Sequence, residues 1–192
     1  LAPGETCPDV PPTPPVIAIP QIELNQSASI FENLGTPVKS AKPLTFEELN
    51  QGYGYVLYRT TIARPIKGRL KVNGLRDYAV VCLDGKRVAV LDQRHGRDWT
   101  GLVITNQSAV LDLLVENCGR INYGPEIPHN HKGIIGCVIL DDRELTGWEM
   151  YKLPFNTVSS LKEENTAGAD APAVHRGTFE LTKVGDTFFD MR

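Results

Sequence analysis

A chain of 192 residues, 41% hydrophobic and 22% charged, has room for one generous domain or for one domain with a fragment of another. A formal charge of -3, with Lys and Arg scattered along the chain, leaves no basic stripe for a polyanion and argues against nucleic acid. No apolar run approaches the ~20 residues that cross a bilayer, and LAPGETCPDV has neither region of a signal peptide.

Residues 1–20 are dense in proline, which removes helix and favours an extended linker pinned along another surface or cut from a larger protein. Val16 to Leu24 is a strand candidate split by Pro20, fit only for an edge or a bulge. Thr45 with Glu48 three residues on is a capping-box pattern, opening a single turn that packs Phe46 and Leu49 inward. Strands are then expected at Tyr53 to Ile62, Arg69 to Val72, Tyr78 to Leu83, Arg87 to Leu91, Leu102 to Thr105, Leu111 to Glu116, Ile134 to Leu140 and Trp148 to Leu153. Asp84-Gly85 marks a tight hairpin, since both residues tolerate positive φ. Strands this closely spaced, with no long amphipathic helix between them, predict an all-β jelly-roll sandwich. After Pro154 the chain is polar and loose, and Thr178 to Met191 turns strand-like again.

The stretch LDLLVENCGRINYG, Leu111 to Gly124, joins two kinds of chemistry. Leu111, Leu113 and Val115 alternate with Asp112, Leu114 and Glu116, so one face is expected in the core and the other in water. Asn117, Gly119, Arg120, Asn122 and Tyr123 then crowd a strand end, where β domains carry function. A plain structural role is also open, with Asn117 and Gly119 shaping the turn and Arg120 pairing with a carboxylate such as Glu116. Trp99, read as a loop residue beside Arg94, His95, Arg97 and Asp98, is either a sugar platform or an anchor buried in the sandwich. Trp148 is expected in the core.

Several chemistries lack their carriers. Cys7, Cys82, Cys118 and Cys137 match no zinc or redox spacing and are expected as free thiols. His129-x-His131 has no third ligand nearby, so no metal and no cofactor are expected. The adjacent carboxylates Glu47-Glu48, Asp141-Asp142 and Glu163-Glu164 do not form an acid/base pair, and no nucleophile elbow or phosphate-binding glycine motif is present.

PLTFEELNQGYGYVLYRTTI, LRDYAVVCLDGKRVAVLDQ, LDLLVENCGRINYG, HKGIIGCVIL and LTGWEMYKL together resemble the carboxy-terminal β region of family 35 glycoside hydrolases, the β-galactosidases. The likeness runs from Pro43 to Leu153 and resumes at RGTFELTKVGDTFFDM, which resembles the opening of a further β domain. The resemblance implies a galactose-binding-like jelly roll at 36–157, a proline-rich linker with an isolated strand at 1–35, a second linker at 158–177 and a truncated second β domain at 178–192. It implies that both catalytic glutamates lie in a (β/α)₈ barrel outside this sequence, so the chain is expected to be non-catalytic, and Glu126 is given no catalytic role. It places Tyr123 on the rim of the barrel's substrate pocket, with Asn122 beside it and Arg120 holding the loop. The expected partner is that barrel, in an exported parent, and the orphan strands are expected to pair with each other or with a second copy. The alternative functions are a carbohydrate-binding module for galactose-containing glycans, using Trp99 or Tyr123, and a protein-interaction domain.

Overall fold

The structure, a computed structural model, describes residues 4–19, 21–162 and 170–188. Among them run fourteen strands and no α-helix: β1 (Gln26–Ser29), β2 (Val38–Ser40), β3 (Tyr55–Ile62), β4 (Ile66–Val72), β5 (Leu75–Arg76), β6 (Tyr78–Leu83), β7 (Lys86–Asp92), β8 (Trp99–Ile104), β9 (Ala109–Glu116), β10 (Gly133–Ile134), β11 (Val138–Leu140), β12 (Arg143–Glu144), β13 (Trp148–Leu153) and β14 (Ala173–Arg176). The chain divides into two compact units, one of residues 27–174 and one drawn from 1–26 and 175–192.

In the first unit a six-stranded sheet, β2-β13-β3-β9-β6-β7, faces a four-stranded sheet, β12-β11-β4-β8, and the ladders of both are antiparallel. Every second residue points inward, so Tyr58, Leu111, Leu113, Trp148 and Met150 of one sheet meet Leu70, Val72, Leu102, Val138 and Leu140 of the other in one buried cluster. Each such side chain contributes roughly 1.5–3 kcal/mol on leaving water, which makes this layer the main source of stability. The result is the all-β sandwich that the strand spacing predicts.

The capping turn is present: Thr45 N donates to Glu48 Oε2 at 2.7 Å and Glu48 N to Thr45 Oγ1 at 3.2 Å, with Phe46 and Leu49 buried. Asp84 and Gly85, at φ 48° and 79°, close the β6–β7 hairpin.

Three expectations change. Trp99 opens β8 rather than lying in a loop, because Lys71 of β4 pairs with it in register. Ile134 to Leu140 is two strands, since Ile135, Gly136 and Cys137 bend the chain between β10 and β11. The outer face of β9 is not wet: Ile30, Leu57, Tyr151 and Leu153 cover Leu114, with Phe31, Leu34 and Phe155 packed around them. Within 158–177 the described residues include β14, and Arg87 N donates to Asp170 O at 2.9 Å.

In the second unit, Val16 forms a parallel bridge with Asp186, whose main chain exchanges 2.9 Å hydrogen bonds with Pro15 O and Ile17 N. The N-terminal and C-terminal segments therefore pair as expected, through one bridge rather than through full strands. Pro20, Glu163, Glu164, Phe189 and Met191 lie outside the described residues.

Candidate functional site: the loop between β9 and β10

The sequence after β9 leaves the sheet at Asn117 and returns at Gly133, and its base is fastened on three sides. Asn117 Nδ2 and Arg120 Nε both donate to Gly52 O, at 2.9 and 3.2 Å. Arg120 Nη1 then reaches Glu47 Oε1 at 2.6 Å and Asn130 O at 3.1 Å, so one guanidinium ties the two ends of the loop to the capping turn. Asn130 Oδ1 accepts from Ile121 N at 3.2 Å, closing the ring. The expected Arg120–carboxylate pair exists, but its partner is Glu47, 73 residues away in sequence, and not Glu116.

Beneath it is a second pair. Lys132 Nζ donates to Asp77 Oδ2 at 2.6 Å, with the two side chains only 6% and 14% exposed. The same carboxylate oxygen accepts from Cys118 N at 3.2 Å, while Lys132 N donates to Glu47 Oε2 at 3.1 Å and Phe46 N to Lys132 O at 2.9 Å. Gly133 follows at φ 92°, and a Cβ there would run into the Tyr58 hydroxyl and the Phe46 ring, so only glycine lets the chain turn back into β10. Glu47, Asp77, Asn130 and Lys132 escaped sequence reasoning. The available signal was a lone lysine at the mouth of the apolar run GIIG, a place where a cation needs a buried partner.

Glu47 is the electrostatic centre of this base. Burial pushes its carboxyl up, but the Arg120 guanidinium and the Glu47 and Lys132 amides outweigh that, leaving it below its ordinary value. His131 Nδ1 lies 3.4 Å from the same carboxylate. An acid whose folded pKa is depressed stabilises the fold above its unfolded pKa, and that contribution disappears as pH falls through the folded value. Wild-type chain should therefore lose more thermal stability than Arg120→Ala between about pH 6 and pH 3, and the two melting curves should converge at the acid end. A constant gap between them across that range would show that the pair does not hold the loop.

Above the fastened base the tip is open. Tyr123 is 91% exposed, and Ile121, Asn122 and Ile127 are exposed beside it. Trp99 belongs elsewhere: it is half exposed on the four-stranded sheet, with the Arg69 guanidinium 4.2 Å over its ring. Of the candidates, Arg120, Asn122 and Tyr123 thus share one loop, and Trp99 does not join them. His129 and His131 stand in this loop, and among the described residues no cluster of His, Cys, Asp or Glu has the makings of a metal site. The four cysteines are unpaired.

The two-sheet sandwich with its braced loop is an all-β domain of the antiparallel sandwich class. A family model described as the first all-beta domain of beta-galactosidase matches residues 43–154. The chain is 39% identical over 174 residues to the beta-galactosidase of Xanthomonas manihotis, covering 91% of this chain and 29% of that protein. It is 37% identical over 164 residues to that of Mus musculus (80% and 24%), and 36% over 200 residues to that of Homo sapiens (90% and 29%). The chain belongs to the β-galactosidase family and contains its first all-β domain. It spans less than a third of the length of these curated relatives.

Proposed function

We propose that this chain is a non-catalytic accessory domain of an exo-β-galactosidase, one that supports a catalytic barrel and shapes access to its galactoside pocket. The observation that carries the reading is the contrast within the 117–132 loop. Its base is held by the Arg120–Glu47 and Lys132–Asp77 pairs, whereas its tip offers Tyr123 and two isoleucines to solvent. A rigid loop that exposes an aromatic and two aliphatic side chains is built to meet another surface, since such groups gain most when a partner covers them. Tyr123 is then a rim residue, Asn122 its neighbour, and Arg120 a positioning residue that touches no sugar.

With the barrel attached, Tyr123→Ala should lower kcat/KM for a nitrophenyl β-galactoside by about tenfold, mainly through KM, while the melting temperature of the isolated chain stays unchanged. Unaltered kinetics in that variant would remove the loop from the rim. The isolated chain should turn over no nitrophenyl galactoside; turnover abolished by a substitution within this chain would overturn the non-catalytic reading. A module for neutral galactosides is the weaker reading, because Arg69 already covers one face of the Trp99 indole on which a pyranose would stack. Isothermal titration with galactose and lactose should accordingly be silent.

A further inference from the structure

Lys and Arg are scattered along the chain, but strand geometry gathers three of them in IKGRLKV. Lys67, Arg69 and Lys71 alternate with Gly68, Leu70 and Val72, so when Leu70 and Val72 enter the core all three cations emerge on the outer face of β4. Residues directly opposite in an antiparallel ladder share a face. Lys67 is opposite Val103, Arg69 opposite Gly101 and Lys71 opposite Trp99, with Ile139 flanking Lys71 on the other side. The four-stranded sheet thus turns outward a row of cations spaced about 6.6 Å apart along the strand, bordered by Trp99 and Val103.

Two features make this row more than scattered charge. Arg69 Cζ lies 4.2 Å from the centre of the Trp99 ring, a cation–π contact that leaves the guanidinium N–H groups with no side-chain carboxylate partner among the described residues. Gly101, between Trp99 and Val103, leaves a gap in which a Cβ would meet nothing within 4 Å. A pyranose ring laid over Gly101 would be flanked by the indole and Val103 and would present an equatorial carboxylate to Arg69, whose two N–H groups suit a bidentate acceptor. Three carboxylates border the row: Asp141 Oδ1 accepts from Arg69 N at 2.7 Å, Glu144 stands opposite Ile139, and Asp98 immediately precedes β8. Lys71 reaches Asp98 at 3.7 Å, and among the described residues no ion pair engages Lys67 or Arg69.

We propose that the outer face of the four-stranded sheet, Lys67, Arg69, Lys71, Trp99 and Gly101, is a binding site for uronate-containing polysaccharide. The site is separate from the 117–132 loop and does not depend on the accessory role.

The test is affinity electrophoresis of the full chain in gels containing polygalacturonate, with neutral galactan and polyglutamate as controls. Retardation is expected in polygalacturonate alone, weakening as salt is raised. Arg69→Gln should raise the apparent Kd about tenfold or more, the effect of losing a charged bidentate contact. Gly101→Val keeps the charge, suits a strand and fills the gap, so it should abolish the retardation while circular dichroism and melting temperature stay those of wild type. No retardation, or retardation that Gly101→Val leaves intact, would overturn the proposal. Equal retardation in polyglutamate would also overturn it and assign the face to an acidic protein.

Discussion

Lys132→Met should destabilise the sandwich by about 3 kcal/mol, because it strands the Asp77 carboxylate in a site from which water is largely excluded. Methionine keeps the length of the side chain, so the loss is one of charge rather than of packing. That oxygen would keep the Cys118 amide at 3.2 Å, which neutralises nothing. The consequence reaches past the pair. Asp77 O also accepts from Gln93 N, and Asp77 N donates to Glu116 O, so the residue links β6, β9 and the segment after β7. Denaturant unfolding followed by the fluorescence of buried Trp148, in a Trp99→Phe background, would report the sandwich alone. Asp77→Asn combined with Lys132→Met should recover part of the loss. A Lys132→Met midpoint equal to wild type, with an unchanged slope, would show the pair to be dispensable.

What the sequence made legible follows from how far each signal travels along the chain. Tyr78 to Leu83 and Trp148 to Leu153 were bounded correctly because alternation, β-branching and adjoining turn residues all act within a few positions. The Asp84-Gly85 hairpin and the Thr45–Glu48 turn were equally local. The failures depend on distant chain. Nothing near Leu114 announces that Ile30 and Leu153 will cover it, and the alternation of β9 by itself implies one wet face. Likewise the strength of Arg120 as a loop organiser was visible in its chemistry, but its partner Glu47 was chosen by the fold and not by spacing. Trp99 was misplaced because Arg97, Asp98 and Thr100 look like a loop until β4 pairs alongside. The row Lys67, Arg69, Lys71 is hidden for a related reason: charges counted along a chain do not show the period of two that gathers them on one face.

Arg59→Met should cost about 3 kcal/mol at pH 7.5 and distinctly less at pH 5. Arg59 and Asp112 stand directly opposite in the β3–β9 ladder, joined by two parallel bonds, Nε to Oδ1 at 2.7 Å and Nη2 to Oδ2 at 3.1 Å. Asp112 is 1% exposed, whereas Arg59 lies partly open between the rings of Phe31 and Tyr151, 5.7 and 5.6 Å from their centres. Burial pushes the Asp112 carboxyl above its ordinary value; Arg59 pulls it back only in part, and Asp84 pushes the same way as burial. An acid that binds its proton more tightly folded than unfolded makes stability fall as pH rises through the interval between the two values. Removing Arg59 lifts the folded value further and widens that interval, so the variant escapes part of its penalty in mild acid by protonating Asp112. Asp112→Asn in the same background removes the titrating group and should flatten the pH dependence of stability. The neighbouring Cys82 thiol, which burial and then Asp112 push up to about 12, stays protonated in the folded chain, and what it adds to the slope toward pH 8 is common to wild type and variant and cancels in their difference. Urea midpoints for Arg59→Met at pH 5, 6, 7 and 8 would decide the matter: a loss that does not change with pH would mean that the packing of Arg59 against Phe31 and Tyr151, rather than its charge, is what β3 needs.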